Sequence, residues 1–151
     1  MTEMIVENIV LDPQSNMPIV ILKSKDNQKS LPIGIGIFEA SAIALKLDGT
    51  KSPRPLTHDL LKSAIEKLNA KIYKISINKL KDNTFYAKIS LKSDRKKFDI
   101  DCRPSDAIAL ALRTNSPIFV EEKIIDSVNS NKSLEFFLKS FKKGDFGKYK
   151  M

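Results

Sequence analysis

The sequence predicts an α+β fold in a single domain, and three observations carry that expectation. Segments that alternate apolar and polar residues crowd the first forty positions and return between about residues 73 and 102, which is strand patterning. Other windows repeat their apolar residues at helical spacing, so helices alternate with the strands and cover one face of them. The chain has 151 residues, 42% of them hydrophobic, which suits one buried core.

The segments Met4 to Leu11 and Pro18 to Leu22 read as strands joined by the turn-forming "DPQSN". "LPIGIGIF" reads as a third strand, with Leu31, Ile33, Ile35 and Ile37 on one face and Pro32, Gly34 and Gly36 on the other. A face bare of side chains suits close internal packing, or a ligand's approach. From Phe38, "FEASAIALKL" has helical spacing and ends at the turn-rich "DGTKSPRP". "THDLLKSAIEKLN" is amphipathic, with Leu60, Leu61, Ala64, Ile65 and Leu68 in one stripe and Lys62, Glu66 and Lys67 opposite. Thr57 suits its N-cap and Asp59 its first turn.

A meander follows. Tyr73, Ile75 and Ile77 alternate with polar residues, "KDN" makes a turn, and Phe85, Ala87, Ile89 and Leu91 mark the returning strand. A third strand places Phe98, Ile100 and Cys102 on its apolar face and Asp99, Asp101 and Arg103 on the other. "PSDAIALALR" reads as a helix with Pro104 in its first turn and an all-round apolar middle, hence buried. "PIFVEE" suits a short strand, "KIIDSV" a short helix, and "SLEFFLKSF" an amphipathic piece before a lysine-rich end. The domain is placed at 1–129, with the C-terminal helix and basic tail at 130–151. The peptide Ala-Ile-Ala-Leu occurs at 42–45 and 107–110, and Arg-Pro at 54–55 and 103–104, each Arg-Pro just before a helix start.

Composition narrows the function classes. The first ten residues carry two glutamates and no basic run, unlike a secretory leader. No apolar run nears the roughly 18–20 residues that span a bilayer. The single cysteine, Cys102, excludes an internal disulfide and a cysteine-based zinc site, and alternation turns it toward the core as an inert thiol. A cytoplasmic protein is the simplest expectation. The net charge is +8, and the last twenty residues hold six lysines against Glu135 and Asp145. This balance favours polyanionic partners, or equally a solvated basic surface. The lysines and aromatics of the tail would suit a strand bound by charge and stacking, or equally a solvated tail. Of 26 basic residues only Arg54, Arg95, Arg103 and Arg113 are arginine. Arginine supplies a planar fork that grips carboxylate or phosphate at two points.

Two constellations carry chemistry. The first is Arg54, Thr57, His58 and Asp59, around the chain's one histidine, the side chain that titrates near neutrality. It reads either as a site or as a capped helix with a packed histidine and a structural ion pair. The second is Asp99, Asp101, Arg103, Ser105 and Asp106. Its two strand carboxylates share a face, roughly 6–7 Å apart. They suit Mg²⁺ or Mn²⁺, or ion pairs with Arg103 and nearby lysines. Glu39 opens the first helix. If these helix starts converge, arginine forks and carboxylates line one cleft, as metal-assisted phosphodiester hydrolysis requires.

"LPIGIGIFEASAIA", "PRPLTHDLL", "FYAKISL" and "DIDCRPSDAIALALR…PIFVEE" together resemble the bifunctional nuclease family, from about Met4 to Asp126. The resemblance implies a compact mixed α+β fold with a strongly bent, mixed or antiparallel sheet, association as a homo-oligomer, and activity on RNA and DNA. It draws attention to Glu39, Arg54, His58, Asp59, Asp101, Arg103, Asp106 and Arg113. The resulting expectation is a nuclease of low sequence specificity. His58, Asp59, Asp101 and Asp106 would be catalytic and Arg54, Arg103 and Arg113 phosphate-binding. Glu39, Asp101 and Asp106 would hold a divalent metal. The competing expectation is a non-catalytic nucleic-acid or protein-binding module in which these arginines and carboxylates form structural ion-pair networks.

Overall fold

The strands expected from alternation assemble into one seven-stranded sheet. The computed structural model describes residues 1–130; apart from Ser130, the segment expected as a C-terminal helix and basic tail lies outside the described residues. The elements run β1 (Thr2–Leu11), β2 (Pro18–Ser24), β3 (Ser30–Gly34), α1 (Ile37–Leu47), α2 (Thr57–Lys67), β4 (Ala70–Lys81), β5 (Thr84–Ser93), β6 (Lys97–Cys102), α3 (Pro104–Thr114), β7 (Ile118–Val120) and α4 (Glu122–Asn129). The sheet order is β3-β2-β1-β7-β4-β5-β6. Every pairing is antiparallel except β4 with β7. Gly34, at the end of the edge strand β3, and Gly36 line the same cleft as Asn83 and Phe85 from the β4–β5 hairpin.

Turn chemistry sets the hairpins. Asp82 and Asn83 both hold positive φ, the backbone a tight two-residue β-hairpin needs, and short polar side chains tolerate it best. Asn16, at φ 59, closes the β1–β2 turn, where the Asp12 carboxylate accepts the Gln14 N–H.

The core gathers Ile75, Ile77, Ala87 and Ile89 from the sheet against α3, whose Ala107, Ile108, Ala109 and Leu110 are at most 1% exposed. Burying each large aliphatic side chain contributes about 1.5–3 kcal/mol. The all-round apolar helix is therefore central, as its composition implies. The two helices containing Ala-Ile-Ala-Leu, α1 and α3, pack on each other.

Four details depart from the sequence reading. β3 stops at Gly34, because Gly36 is the N-cap of α1 and Ile37 already belongs to the helix; Ile37 is accordingly exposed. Gly34 meets open space where a side chain would stand, so close packing does not explain it, whereas a Cβ on Gly36 would collide with the Glu39 carboxylate. In β4 the register shifts between Ile72 and Lys74, and this bulge puts Ile72, in place of Tyr73, on the core face with Ile75 and Ile77. Phe98 and Ile100 share the face of Leu91 and Ile89, yet on the edge strand β6 they remain 41% and 44% exposed.

The fourth departure is α2. Its half-buried residues include His58, Asp59, Lys62 and Ile65, while Leu60, Leu61, Ala64 and Leu68 are exposed. Ile65 alone of the expected stripe packs on the core, beside a polar side that faces the body, and the leucines face outward. That inversion delivers a histidine and an aspartate to the start of α3.

Candidate functional site

The first turns of α1, α2 and α3 meet through charged side chains. Pro104 at the start of α3 fixes φ without losing a needed N–H, and Asp106 lies in that first turn. His58 Nε2 is 3.0 Å from Asp106 Oδ1. Arg103 grips the same carboxylate with Nε at 2.9 Å from Oδ2 and Nη2 at 3.1 Å from Oδ1, and its Nη1 reaches Glu39 Oε1 at 2.6 Å. One chain of contacts thus runs Glu39–Arg103–Asp106–His58. The His58 side chain is 14% exposed and that of Arg103 62%. This row abuts the cleft of about 270 Å³ whose lining includes Gly36, Glu39, Arg103 and Ser105.

The electrostatics follow from the contacts. Burial tends to raise the Asp106 carboxyl, but Arg103 and His58 outweigh it and hold the group below the usual carboxylate range. The bonds from Arg103 to Asp106 and Glu39 raise the guanidinium's pKa further. With Asp106 ionised, the tautomer that fits is Nε2–H donating to Asp106, leaving Nδ1 with a lone pair. A guanidinium has five N–H donors, and three are engaged here, so two remain for a ligand.

A second network is structural. Arg113 is 7% exposed. Its Nε donates to Asp59 Oδ1 at 2.8 Å, its Nη1 to the Ala109 carbonyl and its Nη2 to the Ala42 carbonyl. The other Asp59 oxygen accepts the Leu56 N–H at 3.0 Å. That bond is the main cause lowering the Asp59 pKa, with Arg113 assisting. The N-cap of α2 is Leu56 and not Thr57; Asp59, three residues in, satisfies the free N–H instead.

These contacts correct three expectations. Arg113 does not present a fork to phosphate, because its guanidinium is buried and committed to α1, α2 and α3. Asp59 does not orient His58; Asp106 does. Glu39, Asp101 and Asp106 do not converge as ligands, since among the described residues no three of His, Cys, Asp and Glu form a metal-holding group. Arg103 stands between Glu39 and Asp106, where a bridging cation would sit, and Asp101 lies exposed on β6 opposite Lys88. The donor set as arranged does not fit Mg²⁺ or Mn²⁺. Arg54 is exposed in the connector before α2 and makes no side-chain hydrogen bond among the described residues. Asp99 accepts the Ser90 hydroxyl at 2.7 Å. The Cys102 thiol is pushed up to about 11 by burial, with Asp106 and Asp101 adding to it, so it is no nucleophile at neutral pH. The role sequence reasoning missed is the pairing of His58 with Asp106. The nearness of both motifs to helix starts was its one signal.

A family model described as the bifunctional nuclease domain matches residues 20–133, a span that includes both charged networks. The chain belongs to the bifunctional nuclease family. An uncharacterized protein of Mycobacterium tuberculosis is 39% identical over 125 residues, covering 83% of this chain and 74% of its own length. "Bifunctional nuclease 1" of Oryza sativa subsp. indica is 26% identical over 110 residues, which is 70% of this chain and 33% of the rice protein. The matched span of this bifunctional nuclease domain runs from β2 through α4. Among the described residues no helix is long and apolar enough to cross a membrane.

Proposed function

We propose that the chain hydrolyses phosphodiester bonds of RNA or DNA with little sequence preference, using His58 as the acid–base group. One observation carries this reading: the half-buried His58 ring is held by an ionised Asp106, which is itself forked by an exposed Arg103. Asp106 fixes the ring through Nε2, so Nδ1 can take the proton from an attacking water. The water oxygen bonds to phosphorus, the bond to the leaving sugar oxygen breaks, and the imidazolium returns its proton to that oxygen. The two uncommitted N–H groups of Arg103 face the negative charge that grows on the phosphoryl oxygens. Arg54 is a second, mobile-length fork for a neighbouring phosphate. No step is routed through a metal ion.

The buried Arg113–Asp59 network favours a second reading, a non-catalytic binding module whose charged motifs fix the helix starts. Cleavage of labelled single-stranded RNA and DNA separates the two, with Mg²⁺, Mn²⁺ and EDTA compared. Activity lost in folded His58→Ala and Asp106→Asn, and kept in Arg95→Gln, supports hydrolysis at this site. Activity unchanged in both of the first variants assigns the cleavage to another site or to a contaminant, and activity absent from the parent under all conditions leaves the binding module.

A further inference from the structure

The proposed catalytic group has a deficit of positive charge: one fixed cation, Arg103, serves two carboxylates, Glu39 and Asp106. It cannot by itself draw in a polyanion, so an affinity surface must lie elsewhere. Such a surface exists on the face of β4, β5 and β6 opposite the core. Ile72, Leu91 and Phe98 share one face, so their neighbours Lys71, Lys92 and Lys97 stand side by side on the other, directly in register across three strands. Lys74, Lys79, Lys81 and Lys88 continue that face, against only Asp99 and Asp101 on the same three strands. The seven lysines make no ion pair among the described residues, where the lysine pairs are those of Lys23, Lys25 and Lys62.

Like charges directly opposite each other destabilise a sheet. Three in one row is a cost that folding alone does not explain. Aromatic rings are set among them. The bulge in β4 turns Tyr73 out of the core, and the ammonium groups of Lys74, Lys92 and Lys97 lie 6.0, 5.9 and 5.3 Å from its ring centre. Lys79 lies 5.3 Å from the ring of Tyr86, which is exposed. Cations spaced along strands, with aromatic faces between them, match a nucleic-acid strand whose phosphates pair with lysines while unpaired bases stack. From Lys71 to Lys81 the face runs about 30 Å at ~3.3 Å per residue. The face ends beside the catalytic row, since β6 leads through Asp101 and Cys102 into Arg103.

We infer that the outer face of β4–β5–β6 is a binding site for single-stranded nucleic acid, with Lys71, Lys92 and Lys97 contacting phosphates and Tyr73 and Tyr86 stacking bases. The site concerns affinity and does not depend on the chemistry assigned to His58. Rings that reach the surface, Tyr86 exposed and Tyr73 half-buried, select a single strand, because a duplex keeps its bases stacked inside.

The test is equilibrium binding of a fluorescent single-stranded oligonucleotide of about 12 residues to the full chain, in EDTA and at several salt concentrations. The parent is compared with Lys92→Gln/Lys97→Gln and with Tyr86→Ala; the basic tail is identical in all three. The double variant is expected to bind at least tenfold more weakly, and its log K against log salt slope should be shallower by about 1.4, two phosphate contacts at ~0.7 each. Its melting temperature should hold or rise, since a repulsion is removed. Tyr86→Ala should weaken single-strand binding and leave duplex binding unchanged. Unaltered binding in the folded double variant overturns the site. Equal losses for single strand, duplex and anionic phosphatidylserine vesicles, with no effect of Tyr86→Ala, reduce it to a general polyanion patch and overturn it as well. Intact lysine-dependent binding without cleavage sinks only the proposed hydrolysis, so the two proposals fail separately.

Discussion

His58 and Asp106 stand 48 positions apart in sequence and 3.0 Å apart in space, joined across the first turns of α2 and α3. The contact gives the imidazole one orientation and one favoured tautomer. Asp106→Asn keeps the size of the side chain but replaces the carboxylate that holds the ring with a neutral amide. It also places an amide before the donors of Arg103. On the proposed mechanism, cleavage per folded molecule should fall about 10²–10⁴-fold, with the far-ultraviolet circular dichroism spectrum unchanged. A rate within threefold of the parent would remove His58–Asp106 from the chemistry.

Asp59 should behave in the opposite way. It is the charged partner of the buried Arg113 and accepts the exposed N–H at the start of α2. Asp59→Ala leaves a buried guanidinium without its carboxylate, a loss of about 3 kcal/mol, or on the order of 10 °C in melting temperature. Arg54→Ala, on an exposed side chain without a partner among the described residues, should change stability by less than about 0.5 kcal/mol. Paired melting curves of the two variants check this. Equal stability of Asp59→Ala and the parent would show that Arg113 finds other acceptors.

The contrast between these two aspartates shows where sequence legibility ends. Strand alternation in β5 and the apolar length of α3 could be read directly, because period and composition alone decide which side is buried. The bulge at Tyr73 could not, since one inserted residue reverses the faces beyond it without any change of composition. The orientation of α2 misleads for a related reason. A leucine stripe implies burial only when the core is the sole apolar partner. In the site, "THDL" and "PSDA" each announced a helix start, but which carboxylate meets the histidine depends on how α2 and α3 cross. Adjacency in sequence favoured Asp59, and adjacency in space selects Asp106.

The lowered carboxyl groups fix the direction of the acid response. Asp59 and Asp106 have folded-state pKa values below their ordinary values. Their contribution is therefore present above the unfolded value of about 3.9, and it is lost as pH falls through the lower folded values. Melting temperature should be level in their contribution above pH ~5 and drop on further acidification. Asp59→Asn should flatten part of that drop; an unchanged slope in the variant would assign the acid sensitivity to other groups.

Cys102 offers a test in the alkaline direction. Its thiol is raised to about 11, chiefly by burial, so the neutral form dominates through physiological pH. Reaction of the native chain with a small disulfide reagent at pH 7 should be slow relative to the same chain in denaturant, and should accelerate steeply above pH 9. Labelling at pH 7 as fast as in the unfolded chain would mean that β6, an edge strand, opens readily and exposes the thiol.

The homo-oligomer that the family resemblance implies has a surface suited to it in α2. Leu60, Leu61 and Leu68 are 64%, 42% and 78% exposed, although they form one apolar stripe around Ala64. A helix with its polar side inward and its leucines outward is hard to reconcile with a solitary chain, and a second copy presenting the same stripe is the simplest match for a self-complementary contact. Leu61→Lys/Leu68→Lys should alter monomer stability little, because Leu68 is largely in water and Leu61 is exposed enough for a lysine to reach it. Sedimentation velocity of the parent at micromolar concentration should show an oligomer that the double variant shifts toward monomer. A monomeric parent would remove the homo-oligomer expectation. A parent oligomer untouched by the substitutions would move the contact to another surface, with exposed Phe98 and Ile100 on the edge strand β6 the next place to substitute, because an uncapped strand edge carrying apolar side chains is a surface a second copy can complete.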